Sequence, residues 1–228
     1  MSVSVGIVAY KSADNLGARL REIQGSDVQP DEVVVIVNPG PDEAENEEIK
    51  QRVQVSPVVT RYSINSQNIG VATAFNLAIF TSTTDYVIML NDDCSIGRTA
   101  IGDIVDGFNS DSVGIVGVIA GGPGPYGVKG LTYAQGFLIA FRRKMVKKIG
   151  GYSELASPLA CETELTCRAS YHGWSTVIKP TVWSHVHDIS NHPSDTINYL
   201  GKDVRPVDFQ PKTQEALQEE IINLWSTF

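Results

Sequence analysis

Two short runs constrain the fold more than anything else in this chain. Residues 3–9 (Val-Ser-Val-Gly-Ile-Val-Ala) and 32–37 (Glu-Val-Val-Val-Ile-Val) are rich in β-branched residues and lack the alternation of a strand with one wet face. Such runs need apolar cover on both sides, the condition of a central strand in a parallel sheet. Between them Leu16, Leu20 and Ile23 recur at i, i+4 and i+7, the stripe of an amphipathic helix. The alternation continues. Asn38-Pro39-Gly40-Pro41 reads as a loop, residues 42–52 as an acidic helix whose early acids suit its N-terminus, and 70–81 as a third helix. A buried strand over 85–90, a helical stripe of Ile101, Ile104, Val105 and Phe108, and a strand over 113–119 complete the series. This β–α order predicts an α/β fold built on a doubly wound, largely parallel sheet.

The second half is less regular. Residues 121–125 are a Gly/Pro loop, 132–141 are strand-like, and 142–150 form a short basic helix. A helix over 162–172, strand material over 174–187 and an amphipathic helix over 212–226 follow. The expectation is one domain spanning 1–228: a nucleotide-type half over about 1–120, a half over about 121–210 that completes the site, and a C-terminal helix over 211–228. The stripe Leu217, Ile221, Leu224, Trp225 reads as packing against the domain, with a homodimer contact as the alternative. Arg142, Arg143, Lys144, Lys147 and Lys148 read as a solvated helix face rather than as contacts to an anionic acceptor or a membrane surface.

Composition removes several classes. At 228 residues and 42% hydrophobic the chain buries a substantial core, and disorder is excluded. The longest apolar runs fall far short of the ~20 residues of a membrane span. Met1 leads directly into the first strand without a basic leader, so a cytoplasmic protein is expected, with peripheral docking at a membrane left open. A net charge of −8 argues against nucleic acid as a partner. Three cysteines (Cys94, Cys161, Cys167) without C-x-x-C spacing fit buried thiols, not a disulfide framework or a zinc knuckle.

Chemistry concentrates where the strand at 85–90 ends in Asn91-Asp92-Asp93. Ligands of open α/β sheets bind beyond the carboxyl ends of the strands. Adjacent carboxylates there repel unless something positive neutralises them, and Mg²⁺ or Mn²⁺ bridging to diphosphate oxygens is the natural partner. The structural alternative is an aspartate pair capping the next helix. No Gly-x-Gly-x-x-Gly follows the first strand and no Gly-x-x-x-x-Gly-Lys-Ser/Thr occurs anywhere, against dinucleotide oxidoreductases and P-loop phosphotransferases.

Six segments in order then resemble the family 2 glycosyltransferases, inverting enzymes of GT-A fold, with a rhamnosyltransferase-like cast. Val8-Ala9-Tyr10-Lys11 is similar to the family's Thr-x-Tyr-Asn beside the nucleotide base, and Val37-Asn38 to its Asp-Asp or Asp-Asn pair. Asn68-Ile69-Gly70-Val71-Ala72-Thr73-Ala74-Phe75-Asn76 follows Asn-x-Gly-x-Ala-x-Ala-x-Asn. Asn91-Asp92-Asp93 stands in the place of the Asp-x-Asp metal motif. Gly136, Arg143 and Ile149-Gly150-Gly151-Tyr152-Ser153-Glu154 resemble Gly…Arg…Val-Gly-Gly-Phe-Asp-Glu, and Cys161–Arg168 resembles Glu-Asp-x-Asp-Leu-x-x-Arg.

The resemblance implies transfer of a sugar from a UDP-, dTDP- or GDP-linked donor to an acceptor hydroxyl on a glycan, lipid-linked or protein-linked acceptor. It implies Glu162 as catalytic base, one methylene longer than the family's aspartate and preceded by Cys161 instead of Glu. Donor contacts carry over to Ala9, Tyr10, Asn38, Asn68, Gly70, Asn91 and Asp92. Metal ligands carry over to Asp92, Asp93 and one or both of His185 and His187, which share a face if that piece is extended. Two other readings stand beside it. One is a degenerate domain that binds nucleotide or glycan without turnover, suggested by Cys161-Glu162. The other is a sugar-1-phosphate nucleotidyltransferase, whose Gly-rich basic loop after the first strand is missing here.

Overall fold

A computed structural model describes residues 1–120, 132–154 and 161–185, with the backbone alone of 197–199 and 202–204. The first half runs β1 (Val3–Ala9), α1 (Ala13–Gln24), β2 (Glu32–Val37), α2 (Glu43–Val55), β3 (Arg61–Ile64), α3 (Val71–Thr81), β4 (Tyr86–Asn91), β5 (Cys94–Ile96), α4 (Ala100–Asp106) and β6 (Val113–Gly117). Then come β7 (Leu138–Arg142), α5 (Arg143–Ile149), α6 (Cys161–Tyr171), β8 (Ser175–Ile178), β9 (Trp183–His185), β10 (Ile197–Tyr199) and β11 (Lys202–Val204).

Seven strands form one sheet in the order β3-β2-β1-β4-β7-β6-β8. β3, β2, β1 and β4 run parallel, β7 is antiparallel to both β4 and β6, and β8 is parallel to β6. The α/β sheet is thus largely parallel, and a single reversed strand joins its two halves.

The unbroken apolar runs are explained by cover on both faces. Val3, Val5 and Ile7 of β1 and Tyr86, Ile88 and Leu90 of β4 pack with α1, α2 and α4. The alternate residues Val8, Val87 and Met89 pack with α3, α5 and α6. Each large aliphatic side chain so buried contributes about 1.5–3 kcal/mol.

Caps close the helices that frame the site. Ser12 accepts from Asn15 N at the start of α1, and Asp42 accepts from Ala44 N and Glu45 N at the start of α2. The loop between β2 and α2 is tied by Asn46, whose side chain exchanges two hydrogen bonds with the Gly40 backbone. Gly70 precedes α3 at φ 79°, where a side chain would be strained.

Several expectations change. The strand expected over 174–187 is two pieces, β8 in the main sheet and β9 paired with β5, split at Lys179-Pro180. The strand expected over 132–141 shortens to β7, with Ala134 making an isolated bridge to Ala120. β3 and β5 were not anticipated: β3 is a half-exposed edge strand and β5 is three residues long. Arg142 does not belong to the solvated basic face. It closes β7, lies over the Tyr86 and Phe108 rings and donates to the Val113 and Ser110 carbonyls, whereas Lys144, Lys147 and Lys148 are exposed as expected. The loop at 121–125, the helix at 212–226 and His187 lie outside the described residues.

Candidate active site

The carboxyl ends of β1, β2 and β4 converge by register. Ala9 pairs with Val37, Val8 pairs with Asn91, and the residues just beyond (Tyr10, Asn38, Asp92) therefore share one rim. Asp92 is 9% exposed, and its Oδ2 accepts from Tyr10 N at 2.8 Å. Burial pushes its carboxyl up to about 7, with the neighbouring Asp93 charge adding to the effect; the Tyr10 N–H and the Arg19 charge oppose it. Arg19, on α1, is itself buried and pairs with Glu22 at 2.8 Å, while the other Glu22 oxygen accepts from Ile96 N and holds β5 against α1.

Capping does not account for the aspartate pair. Asp93 is followed by β5, and α4 begins only after Thr99. β5 pairs with β9 so that Cys94 faces His185 across the ladder. His185 Nε2 lies 3.3 Å from Asp93 Oδ1, at ion-pair distance, yet among the described residues that buried oxygen accepts no hydrogen bond. Among the described residues no three His, Cys, Asp or Glu side chains converge as a metal cage. Asp93 and His185 therefore come together, Asp92 sits beside them facing Tyr10, and His187 lies outside the described residues.

Phe137 was missed by the sequence reading and organises this end of the sheet. Asn91 N donates to Phe137 O at 2.9 Å, which fixes the antiparallel junction of β4 with β7. The Phe137 ring stacks on His185 (centroids 4.4 Å apart, planes 13° apart) and tilts against Trp183 at 4.7 Å. On its other side Gly136 abuts Glu162, and any side chain at 136 would overlap the glutamate carboxyl. The chain Asn91–Phe137–Gly136 thus carries the first residues of α6 to the rim that holds the aspartates.

Glu162 stands at the start of α6. Burial raises its carboxyl above the ordinary value, against its own backbone N–H and the Cys161 thiol, both of which hydrogen-bond it. The helix beneath is rigidly tied. Arg168 makes a two-pronged pair with the buried Glu164 (2.8 and 2.7 Å) and donates to the carbonyls of Ile149 and Gly151. Gly150, at φ 87°, makes the turn that this arginine clamps. Asn76 of α3 joins the same corner by exchanging two hydrogen bonds with the Tyr152 backbone (2.8 and 2.7 Å).

The expected base-side residues form a shelf and not a set of free groups. Asn38 is 4% exposed; its Nδ2 donates to Asn68 Oδ1 at 2.6 Å and its Oδ1 accepts from Ile69 N at 2.9 Å. Asn68 Oδ1 also accepts from Gly70 N. Their amides tie the end of β2 to the approach to α3. Lys11 takes a left-handed φ of 61° and sets its ammonium 5.0 Å from the Tyr10 ring centroid.

Comparison with known proteins agrees with this architecture. The sequence model of the family described as Glycosyl transferase family 2 matches residues 4–154. No curated protein matches the chain. Among solved structures it is similar to a mannosyltransferase from Pyrobaculum calidifontis in complex with GDP-Man and Mn²⁺ (TM-score 0.65, 19% identity, 78% of this chain and 54% of that one). It is also similar to glucosyl-3-phosphoglycerate synthase from Mycobacterium tuberculosis with Mn²⁺, UDP and glucosyl-3-phosphoglycerate (TM-score 0.62, 13% identity, 97% and 79%). A third is GalNAc-T7 with UDP, GalNAc and Mn²⁺ (TM-score 0.68, 15% identity, 81% and 44%). The chain spans about half the length of the mannosyltransferase. Among the described residues no helix is long and apolar enough to cross a membrane.

Proposed function

The chain belongs to glycosyl transferase family 2, and from that premise we propose that it transfers a sugar from a nucleoside-diphosphate sugar to an acceptor hydroxyl, with inversion at the anomeric carbon. One observation carries the reading: the β4–β7 junction, through Asn91, Phe137 and Gly136, puts the Glu162 carboxyl on the same sheet rim as Asp92 and Asp93. A base and an anion-handling site on one rim are what a single displacement needs.

In this reading the donor lies along the carboxyl ends of β1, β2 and β4. Ala9 and Tyr10 supply one wall, and Asn38, Asn68 and Gly70 supply the tied shelf beside the base. Asn91 and Asp92 face the diphosphate. The donor set fits a divalent cation: an Asp93 oxygen without a hydrogen bond among the described residues and a second carboxyl whose charge burial disfavours call for positive charge, and an imidazole nitrogen lies nearby as a further ligand. Asp92, Asp93 and His185, with His187 as a candidate, would hold Mn²⁺ or Mg²⁺, which when bound supplies charge neutralisation for the departing diphosphate. The Mn²⁺ in the named complexes supports that choice.

Glu162 takes the proton from the acceptor hydroxyl as that oxygen attacks the anomeric carbon on the face opposite the diphosphate. Burial that raises its carboxyl makes it a stronger base than an exposed glutamate. A glycan or glycoconjugate acceptor would approach from the half of the chain after residue 120, over Tyr133 and Gly136. The test is thermal stability with UDP, dTDP and GDP and their sugars, with and without Mn²⁺. A ligand present at about a hundred times its Kd adds roughly 2.7 kcal/mol to the folded state. A rise in melting temperature that needs one diphosphate together with Mn²⁺, and is lost in Asp93→Asn, is expected. No rise with any nucleotide overturns the reading.

A further inference from the structure

Tyr152 is 3% exposed, and its hydroxyl has no hydrogen-bond partner among the described residues. A buried hydroxyl left unpaired carries its full desolvation cost, and so calls for a reason. This one is also held in place. The Tyr152 backbone is gripped at N–H and C=O by Asn76, and its ring is set between Phe75 (5.4 Å) and Phe141 (5.7 Å). The same apolar cluster contains Cys161, the residue before Glu162. The phenol lies near enough to Glu162 that the carboxylate charge adds to burial in raising it.

The phenol oxygen of Tyr152 and the carboxyl of Glu162 therefore share one corner, and the glutamate carries one methylene more than an aspartate would there. The longer acid has one more rotatable bond. In the structure its carboxyl folds back to its own N–H and the Cys161 thiol.

We infer that the Tyr152 hydroxyl is a positioning residue for Glu162, a rigid donor that receives the longer carboxylate and sets its reach toward the acceptor. The inference rests on the reading of Glu162 as base. Only a hydrogen bond is exchanged: the phenol keeps its proton, donating to the charged glutamate and releasing it when the glutamate takes a proton. Among the described residues, the other titratable groups around Glu162 are Tyr133, in the segment before β7, and Cys161 on α6 itself.

The experiment is a pH titration by NMR of the whole chain labelled at glutamate Cδ and tyrosine Cζ, with Glu162→Gln identifying the glutamate signal. Tyr152→Phe removes one oxygen and leaves the ring. A donor lost from a carboxylate raises its midpoint, and about one pH unit is expected. Should Tyr152→Phe fail to fold, the unaltered protein still decides: the Tyr152 Cζ signal is expected to follow the Glu162 midpoint and to lose that inflection in Glu162→Gln. A Glu162 midpoint identical in the two proteins, or a Tyr152 signal blind to Glu162, overturns the inference. No donor or acceptor enters these titrations. Sugar transfer at the unaltered rate by Glu162→Gln would sink the base assignment separately, while leaving the measured contact standing.

Discussion

The two ends of the central sheet handle buried acids in opposite ways. At the amino ends of β2 and β4, Glu32 is 9% exposed and fully engaged: Ser4 Oγ, Thr83 N and Thr83 Oγ1 donate to it, and Arg61 lies at 3.2 Å. Burial alone would raise its carboxyl, but those partners hold it below the ordinary value. At the carboxyl ends Asp92 is pushed up to about 7, Asp93 keeps a buried oxygen with no hydrogen bond, and Glu162 is raised by burial. Among the described residues one end is complete, while the other is short of positive charge and of donors. A protein tolerates such a deficit where a ligand completes the set.

The largest effect separates chemistry from folding at the deficient end. Glu162→Gln keeps shape and removes the base. Sugar transfer is expected to fall by roughly 10²–10⁴-fold, the usual worth of general base catalysis, with the melting temperature at neutral pH raised. A fall in both would mean that Glu162 is structural and that the contrast between the two ends is misplaced.

Next comes the scaffold under the rim. Arg168→Ala strands Glu164, 2% exposed, and frees the carbonyls of Ile149 and Gly151. Breaking a buried pair costs about 3–5 kcal/mol, read as a lower denaturation midpoint. A loss below about 1 kcal/mol would show this corner to be as exposed as a surface ion pair. Asn76→Ala removes the two bonds that hold Tyr152, at an expected cost of about 1–3 kcal/mol. If the inference about Tyr152 holds, the Glu162 midpoint moves in this variant as well.

How much of this was legible depends on the reach of each interaction along the chain. β1, β2 and β4 announce themselves because both faces are covered and polar positions are few. Asp92 and Asp93 follow from strand end and charge alone. β3 has two exposed residues, and β5 and β9 are three residues each, too short for a period to register. Arg142 sits beside exposed lysines in sequence, and only strand geometry turns it over Tyr86 and Phe108. The stacking of Phe137 on His185 joins segments nearly fifty positions apart, and no local pattern encodes it. The resemblance pointed to Asn38 as a base contact; the structure shows its amide already tied to Asn68 and Ile69, a use that spacing alone does not reveal.

The smallest expected effect is the one that tests the sign of the contrast. Glu32 is held below its ordinary value in the folded chain, so the unfolded chain binds more protons as the pH falls. Its stabilisation is complete above the unfolded midpoint and is lost as the pH drops through the folded one. Glu162 is raised in the folded chain, so its charged form opposes folding. That penalty is absent in acid, begins as the pH passes the unfolded midpoint and is complete above the folded one. Chemical denaturation between about pH 3 and 8 should therefore separate two variants that each replace one acid by its amide. Glu32→Gln loses stability relative to the unaltered chain at neutral pH, and the gap narrows toward acid. Glu162→Gln gains stability, and the gain also narrows toward acid. Parallel curves that share one sign would mean that the glutamate at the carboxyl end is as well satisfied as the one at the amino end. The deficit assigned to the rim would then reduce to Asp92 and Asp93.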